Sequence, residues 1–280
     1  MSGKLYLIPT PIGNLKDITL RALETLKSVD VIACEDTRQS LKLLNHFQIK
    51  KTLISYHMHN ENGKSEDIIK RLLEGQNIAI ISDAGTPGIS DPGAVIARKC
   101  IDEGIQFEVY PGATAITTAL VYSGLDTNKF TFVGFLSREN KERKATMEGL
   151  MDRQETLILY EAPHRIQSTL SFIRESLGNR KIAVCKELTK LHETILRGTV
   201  DECIEYYNEN QPRGEYVIVI AGKSNAEIMQ EMRAQWENMT VEEHIKQYMD
   251  EGKDKKEAVK LVAKDRNLHK SEIYKYSINM

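Results

Sequence analysis

The chain has 280 residues, of which 41% are hydrophobic and 28% charged, and its formal net charge is -2. This length predicts two or three domains, and the composition excludes a wholly disordered chain and a fibrous repeat. A net charge so close to zero provides no global attraction to nucleic acid, so any such binding requires a local basic patch.

Two features indicate the cellular compartment. The apolar run Leu5–Ile8 is cut off by Pro9 and is too short for a signal peptide or a membrane span. The cysteines lie far apart without paired spacing, at Cys34, Cys100, Cys185 and Cys203. This spacing disfavours both a zinc site and a disulfide framework. We therefore expect a cytoplasmic protein with no bound metal and no membrane attachment.

Strand and helix patterns alternate from the start of the chain to about residue 113. Short β-branched runs predict strands at Leu5–Ile8, Val29–Cys34, Thr52–Tyr56, Ile78–Ser82 and Phe107–Tyr110. Helical patterns lie between them at Leu20–Lys27, Glu66–Glu74 and Ala94–Glu103. This alternation predicts a parallel sheet covered by helices, in an N-terminal α/β domain of residues 1–121.

A second series of strand and helix patterns follows. Strands are predicted at Phe130–Phe135, Thr156–Tyr160, Lys181–Lys186, Thr194–Gly198 and Glu215–Ala221. Helical segments are predicted around residues 141–153, 164–177 and 200–208. We therefore expect a second α/β domain over residues 122–222, with the boundary in the turn-rich segment Val121–Lys129.

Strand patterns end after Gly222, and the remaining residues predict helices only. Thr240 and Glu243 form a capping-box pattern, and Gly252 marks the end of that helix. Apolar residues at helical spacing predict a first helix with Val241, Ile245, Tyr248 and Met249. A second helix is predicted from Ala258, Leu261 and Val262. A third is predicted from about Ser271, with Ile273 and Tyr276 facing inward. We expect a helix-turn-helix module over residues 223–280. Residues 253–280 contain eight Lys or Arg and four Asp or Glu, so this module is locally basic.

Three Gly/Pro-rich turns follow predicted strands of the first domain: PTPIGN (Pro9–Asn14), SDAGTPGISDPG (Ser82–Gly93) and PGATA (Pro111–Ala115). Because ligands bind at the carboxyl ends of the strands in open parallel sheets, these loops predict one pocket. Glycine lets backbone groups approach a ligand closely, and proline reduces the ordering cost of binding. Neither the dinucleotide pattern nor the P-loop pattern occurs in them, which disfavours NAD and ATP.

These loops and several later strings resemble the tetrapyrrole methylase superfamily, the class III S-adenosylmethionine-dependent methyltransferases. The matching strings are, in order, PTPIGNLKDIT (Pro9–Thr19), EDTR (Glu35–Arg38), SDAGTPGISDPG, PGATA, GF (Gly134–Phe135), YEAPHRI (Tyr160–Ile166), KELTKLHE (Lys186–Glu193) and PRGE (Pro212–Glu215). The resemblance covers residues from about 4 to 222. The basic helical tail is similar to the helix-turn-helix of the superfamily members that methylate ribosomal RNA.

The resemblance implies two α/β domains of the class III fold plus the small helical module, and a homodimer. It also implies S-adenosyl-L-methionine bound between the α/β domains. The implied acceptor is a ribose 2′-hydroxyl of a decoding-centre cytidine, cytidine 1402 of 16S rRNA in the small ribosomal subunit. Carried over by position, the cofactor-binding residues are Pro11, Ile12, Ala84, Gly85, Thr86, Ile89, Ser90, Thr114 and Ala115 from the first domain and Tyr160, Gly214 and Glu215 from the second.

Methyl transfer to a hydroxyl requires in-line geometry and removal of the hydroxyl proton. Our hypothesis places Glu187 near the reacting centre, with Lys186 and Lys190 as electrostatic helpers. Glu35 and Asp36 are weaker catalytic candidates, and Asp83 in the long loop is a third. The EDTR string is also compatible with a simple helix start capped by Asp36 or Thr37.

The RNA-binding candidates are basic residues near the loops and in the tail: Arg38, Arg138, Lys141, Arg143, Lys255, Lys256 and Lys270. The group from Arg138 to Lys144 alternates with glutamates and is equally compatible with a solvated helix face.

Two other functions are compatible with parts of the sequence. One is a tetrapyrrole C-methyltransferase of the same superfamily, which the basic helical tail disfavours. The other is a metabolite-sensing helix-turn-helix regulator, which the 222 residues before the tail disfavour.

Overall fold

The computed structural model describes residues 2–278, except for the side chains of residues 231–235 and 237. The chain divides into two compact units. The first unit is Met1–Met151 with Glu155–Ala221, and the second is Asp152–Gln154 with Gly222–Met280. Both sheets described below belong to the first unit.

The first sheet contains β1 (Leu5–Ile8), β2 (Val31–Cys34), β3 (Thr52–Ser55), β4 (Ile78–Ile81) and β5 (Phe107–Val109). Its strands are all parallel, in the order β3-β2-β4-β1-β5, which confirms the predicted parallel sheet. Every residue of β2 and β4 is buried. Strands that are covered on both faces consist of continuous apolar residues, as these two do.

Helices lie on both faces of this sheet: α1 (Leu20–Ser28), α2 (Thr37–His46), α3 (Glu61–Leu73) and α4 (Ala94–Asp102). Because successive strand residues point to opposite faces, Ile80 packs with Ile68 of α3, whereas Ile81 packs with Leu26 of α1. Full burial of such a side chain contributes roughly 1.5–3 kcal/mol. The two apolar clusters therefore hold the strand ends, and the loops that follow them, in place.

The starts of two helices of this unit can be compared with the sequence prediction. Helix α2 begins directly after Asp36, whose side chain accepts a hydrogen bond from the Arg38 amide, so the alternative interpretation of EDTR as a capped helix start is confirmed. Helix α3 begins at Glu61, before the predicted Glu66. Its first turn is polar and has no apolar spacing, so the sequence pattern did not reveal it.

The second sheet contains β6 (Phe130–Phe135), β7 (Thr156–Glu161), β8 (Lys181–Lys186), β9 (Thr194–Thr199) and β10 (Tyr216–Ile220). Their order is β6-β7-β10-β8-β9, and only β6 and β7 run parallel. The strand register shifts between Phe132 and Gly134. This irregularity lies in the strand that leads to the site described below.

Helices that pack on the second sheet are α5 (Ala115–Ser123), α6 (Asn140–Glu148), α7 (Ile166–Leu177) and α8 (Val200–Glu209). Helix α5 buries Ala119 and Leu120 against Val217 and Val219 of β10. The sequence analysis did not single out this helix, because its apolar and β-branched residues have no helical periodicity. The predicted boundary between residues 121 and 122 falls inside α5 and stays a prediction.

The second unit contains α9 (Asn225–Glu237), α10 (Val241–Asp250), α11 (Lys255–Asp265) and α12 (Lys270–Tyr276). Thr240 and Glu243 form the predicted capping box, with the Glu243 amide 3.2 Å from the Thr240 hydroxyl oxygen. Ile245, Val262 and Ile273 form part of the core of the last three helices. The prediction that Tyr276 faces inward is wrong: α12 is short, and Tyr276 at its end is 47% exposed.

The described part of the chain contains neither a membrane-spanning helix nor a metal-binding cluster. No helix among residues 2–278 is both long and apolar enough to cross a bilayer. Within the same residues, no group of three or more His, Cys, Asp or Glu side chains is arranged to hold a metal ion. All four cysteines are free and buried.

Candidate active site

The three Gly/Pro-rich loops meet at the carboxyl ends of β1, β4 and β5. The Thr10 amide donates to the Gly85 carbonyl at 2.9 Å, and the Gly85 amide donates to the Thr10 carbonyl at 3.0 Å. The Thr86 hydroxyl donates to the Ala113 carbonyl at 3.2 Å. The predicted convergence of the loops on one pocket is thereby confirmed.

A cavity of about 360 Å³ opens between these loops and the second sheet of the same unit. Its lining consists of Ile12, Asp83, Ala84, Gly85, Thr86, Ile89, Ser90, Asp91, Thr114, Ala115, Phe135, Tyr160, Glu161, Ala162, Pro163, Cys185, Leu188, Glu215, Tyr216 and Val217. Small-molecule and cofactor sites have volumes of about 300–1,000 Å³ and are mostly apolar with a few polar groups. The cavity has these properties.

Most of the predicted cofactor-binding residues line this cavity: Ile12, Ala84, Gly85, Thr86, Ile89, Ser90, Thr114, Ala115, Tyr160 and Glu215. Pro11 and Gly214 do not. Pro11 is buried below its loop, and Gly214 is exposed beside Glu215. The direct contacts of all these residues with a cofactor stay predictions.

A group of acidic side chains lies at the first-sheet edge of the cavity. Burial raises the pKa of Glu35, and the charge of Asp83 adds to this effect. Burial also raises the pKa of Asp83, although the hydrogen bond from the Asp36 amide opposes it. The pKa of Asp91 rises to about 7, first because of burial and then because of the charges of Glu35 and Asp83. Asp91 was not predicted as a site residue, although it lies within SDAGTPGISDPG.

Asp36 differs from these carboxyls because a cation neutralises it. Its carboxylate lies 3.2 Å from the Arg38 guanidinium, and this hydrogen-bonded pair lowers the pKa of Asp36. Asp36 also caps α2. Asp36 and Glu35 do not line the cavity, and their catalytic roles stay predictions.

Aromatic rings form part of the opposite wall. The ring centroid of Tyr160 lies 5.5 Å from that of Phe135 and 5.0 Å from that of Phe132, in edge-to-face arrangements. Burial raises the pKa of Tyr160 to about 12, with a further contribution from Asp91. Phe135 is 56% exposed and was not predicted as a site residue, although the string GF contained it. Its exposure at the cavity is visible only in three dimensions.

Glu187 and Lys190 belong to an ion-pair network beside the cavity. The Lys190 ammonium lies 2.9 Å from the Glu187 carboxylate and 2.7 Å from that of Glu215. The Glu215 amide donates to Glu187 at 2.9 Å. Burial opposes ionisation of Glu187, but the hydrogen bonds from Lys190 and Glu215 outweigh it and lower the pKa of Glu187. Neither these two residues nor Lys186 lines the cavity, and their catalytic roles stay predictions.

The segment that contains this network also contacts the first loop. The Asn14 amide donates to the Thr189 hydroxyl at 3.1 Å. A Cβ atom at Gly13 would lie 2.5 Å from Lys190 Cγ and 2.8 Å from the Leu188 carbonyl oxygen. Only glycine allows this approach. The two walls of the cavity are therefore joined through Gly13.

Three non-glycine residues around the site have left-handed backbone conformations: φ is 62° at Ser90, 53° at Glu187 and 63° at Thr189. Such conformations cost roughly 1–3 kcal/mol each and persist only where surrounding contacts enforce them. Strain of this kind concentrates at functional sites. Its presence on both walls supports the assignment of this cavity as the site.

The predicted RNA-binding residues of the first unit lie on its surface, with one exception. The Arg38 side chain is 88% exposed, and Arg138 and Lys141 are exposed as well. Arg143 is half-buried, with its guanidinium carbon 4.4 Å from the centre of the Phe172 ring. Arg143 therefore packs within the protein, and an RNA contact would involve only its remaining surface.

The predicted RNA-binding residues of the second unit lie at the starts of two helices. Lys256 and Lys270 are exposed, whereas Lys255 is half-buried. Their contacts with RNA stay predictions.

The lining fits S-adenosylmethionine. The carboxyl group of Asp83 suits a cofactor with a positively charged sulfur and an ammonium group. Gly85, at a φ of 86°, allows the turn of the loop that places Ala84 and Thr86 at the cavity. Ile12, Leu188 and the Tyr160 ring offer an apolar surface for a nucleoside base.

Known proteins resemble the chain over most of its length. Residues 4–204 match the family of tetrapyrrole (corrin/porphyrin) methylases. A Bacillus subtilis protein named ribosomal RNA small subunit methyltransferase I is 51% identical over 272 residues, which are 97% of this chain and 93% of that protein. A Thermotoga maritima protein with the same name is 43% identical over 221 residues, which are 79% of this chain and 99% of that protein.

Solved structures show the same fold. Uroporphyrin-III-C-methyltransferase from Thermus thermophilus superposes with a TM-score of 0.56 at 22% identity, over 78% of this chain and 94% of that one. The family match and the curated relatives agree with the architecture and with the cavity at the loops. The chain therefore belongs to the tetrapyrrole methylase family, and it is an S-adenosylmethionine-dependent methyltransferase.

Proposed function

We propose that this protein methylates the ribose 2′-hydroxyl of a decoding-centre cytidine in the 16S rRNA of the small ribosomal subunit. The observation that carries the rRNA substrate is the 51% identity to the Bacillus subtilis ribosomal RNA small subunit methyltransferase I over 97% of the chain. The 2′-oxygen and the cytidine rest on the motif resemblance, from PTPIGN to PRGE. A homodimer and a cytoplasmic location are part of the same proposal.

When bound, S-adenosylmethionine supplies an electrophilic methyl group on a positively charged sulfur. The glycine-rich loops would hold it through backbone groups at Ala84 and Thr86, and Ile12 and Leu188 would face its apolar surface. The carboxylate of Asp83 favours its positive charge. These loops are ordered by hydrogen bonds between them, so little ordering cost is added on binding.

In this proposal, the cavity wall formed by the second sheet positions the ribose that accepts the methyl group. Tyr160 and Phe135 provide an aromatic surface on one side of the cavity. The pair of Glu187 and Lys190 holds Glu215 beside the cavity. On the sequence pattern, Glu187 is a candidate proton acceptor, with Lys186 and Lys190 as electrostatic helpers. Glu35 and Asp36 are weaker candidates for the same role.

RNA binding is proposed for cations of both units, most of them exposed and two of them, Arg143 and Lys255, half-buried. The candidates remain Arg38, Arg138, Lys141, Arg143, Lys255, Lys256 and Lys270. The net charge of the whole chain is -2, so these local cations must supply the attraction to phosphates. Binding through them should weaken steeply as the salt concentration rises.

The test is methyl transfer from labelled cofactor to three acceptors: unmethylated 30S subunits, protein-free 16S rRNA and uroporphyrinogen III. Label should enter 30S subunits, at a ribose that becomes resistant to alkaline cleavage. Label in uroporphyrinogen alone would instead establish the tetrapyrrole C-methyltransferase. Binding to DNA without methyl transfer to any acceptor would favour the regulator. Labelling of a base rather than a ribose would retain the rRNA substrate and refute the 2′-oxygen.

A further inference from the structure

Four carboxyl side chains line the cavity: Asp83, Asp91, Glu161 and Glu215. Both carboxyl oxygens of Glu161 have partners: Oε2 accepts a hydrogen bond from the Thr169 hydroxyl at 2.6 Å, and Oε1 lies 3.3 Å from the Arg165 guanidinium. Glu215 lies 2.7 Å from the Lys190 ammonium. The carboxyl groups of Glu161 and Glu215 therefore already have polar partners within the protein.

The other two carboxyls differ from each other. Asp83 is exposed and accepts a hydrogen bond from the Asp36 amide at 3.1 Å. Asp91 is half-buried, and among the residues that the structure describes none donates a hydrogen bond to its carboxyl group or forms an ion pair with it. A partly buried carboxylate without donors has unused capacity to accept a proton.

We propose that Asp91 is the catalytic base that accepts the proton of the acceptor hydroxyl during methyl transfer, an inference that rests on the proposed function. The hydroxyl proton moves to the Asp91 carboxylate. The oxygen electron pair forms the new O–C bond to the methyl carbon, the S–C bond breaks, and its electron pair stays on the sulfur. Asp91 then releases its proton to solvent, which restores the carboxylate.

The electrostatic surroundings of Asp91 suit this role. Burial raises its pKa to about 7, and the charges of Glu35 after β2 and Asp83 after β4 add to the shift. Tyr160 of β7 faces the same cavity, and its own pKa of about 12 keeps it neutral at pH 7. A general base is most effective when its pKa lies near the working pH. Because the carboxyls interact, they titrate as a group.

Glu187 is the competing candidate, and its surroundings are the opposite. Its carboxylate accepts hydrogen bonds from Lys190 and from the Glu215 amide, which together lower its pKa. A carboxylate stabilised in this way is a weaker proton acceptor. Glu187 also lies outside the cavity lining, whereas Asp91 is part of it.

The first experiment measures kcat/KM for 30S methylation between pH 5.5 and 8.5. In the wild type, kcat/KM should rise about tenfold per pH unit below pH 7 and level off above it, because only the deprotonated base acts. In Asp91→Asn, the plateau should fall by roughly 10²- to 10⁴-fold and the acid limb should disappear. An Asp91→Asn enzyme within threefold of the wild type would overturn the proposal.

Two further measurements do not depend on turnover. Calorimetric titration with S-adenosylmethionine should give dissociation constants for the wild type and Asp91→Asn that agree within about threefold. A parallel loss of cofactor binding would make Asp91 a cofactor ligand and would overturn its role as base. In cofactor-free protein with ¹³Cγ-labelled aspartate, one carboxyl signal should titrate near pH 7 and be missing in Asp91→Asn. The proposal would be contradicted if no aspartate signal titrates above pH 6.

Glu35→Gln provides a second variant that retains Asp91. Removal of one like charge should lower the pKa of Asp91 and move the acid limb of the kcat/KM profile to lower pH. Glu187→Gln should leave the position of that limb unchanged, whatever its rate. If Glu187→Gln abolishes the limb and Asp91→Asn keeps it, Glu187 is the base. If the wild type labels no 30S subunits, the proposed function itself is refuted. The aspartate titration then still reports on the pKa of Asp91.

Discussion

The cavity wall from the first sheet consists of loops, whereas the wall from the second sheet consists of strand ends and side chains. On the first wall, Ala84, Gly85 and Thr86 present mainly backbone. On the second, Tyr160 and Phe135 present rings. A loop that acts through its backbone requires glycines and prolines at defined positions, and these are visible in a sequence. A wall built from side chains depends on which residues become neighbours after folding.

The two walls also hold charge differently. The first-sheet edge gathers the carboxyls of Glu35, Asp83 and Asp91, and burial together with the charges of the other two raises the pKa of Asp91. The second-sheet edge pairs Glu187 with Lys190, and there the pKa of the carboxyl is lowered. Carboxyls of similar intrinsic acidity thereby acquire different functions: one group can exchange protons near neutral pH, and the other remains ionised.

The largest effect is expected at Gly214, which supports the second wall. A Cβ atom at Gly214 would lie 2.5 Å from the Glu187 carboxyl carbon, and the residue has a φ of 85°. Gly214→Ala should lower the free energy of unfolding by about 2–5 kcal/mol, through backbone strain and overlap. Gly104→Ala, at a φ of 64° in open space, is the matched control and should cost only about 1–2 kcal/mol. Equal losses in urea denaturation would show that contact with Glu187 has no energetic role.

Gly13 tests whether the two walls depend on each other. Gly13→Ala would push Lys190 and the Leu188 carbonyl away from the first loop. Overpacking of this kind costs roughly 1–3 kcal/mol, and if the cofactor-bound geometry carries this cost, the calorimetric affinity for S-adenosylmethionine should fall about 5- to 150-fold. Gly63→Ala, in open space on α3, should leave that affinity unchanged. Unchanged binding by Gly13→Ala would mean that the walls bind the cofactor independently.

Lys190→Met tests the ion-pair network. Removal of this partly buried cation leaves Glu187 and Glu215 unpaired and should cost about 1–2 kcal/mol at pH 7. Lys64→Met is the control, because Lys64 pairs with Asp67 at 3.0 Å with the same sequence spacing but on an exposed helix. This substitution should lower the free energy of unfolding by less than about 0.5 kcal/mol.

The pH dependence of the Lys190→Met effect follows from Glu187. The folded-state pKa of Glu187 is lowered, so its contribution to stability is present above its unfolded pKa of about 4.3 and is lost as the pH falls through the folded value. The difference in stability between wild type and Lys190→Met should therefore shrink below about pH 4. A difference that stays constant from pH 7 to pH 3 would assign the loss to packing rather than charge.

The smallest effect is expected at the aromatic part of the second wall. Phe135→Leu removes the edge-to-face contact with Tyr160 and should weaken cofactor binding about two- to tenfold. Phe130→Leu, at the other end of β6 and outside the cavity lining, should bind as the wild type does. Equal affinities in all three proteins would remove Phe135 from the site.

Local patterns were sufficient for most elements of the fold. Strand β6 and strand β8 match their predicted bounds, because β-branched and apolar runs are flanked by turn residues. Helix α5 was not predicted, since its apolar residues cover every side of the helix and have no helical spacing. Its contact with the second sheet depends on β10, which follows nearly 100 residues later.

By itself, the sequence determined the parallel first sheet, the three converging loops and the family, because backbone conformation at glycine and proline and the spacing of apolar residues are local properties. Only the tertiary structure decided that Asp91 faces the cavity with no hydrogen-bond or ion-pair partner among the described residues, whereas Glu187 is bound to Lys190 and to the Glu215 amide. The proton affinity of a carboxyl depends on its burial and on nearby charges. Those neighbours come from strands that are distant in the sequence, so no local pattern could distinguish the two residues.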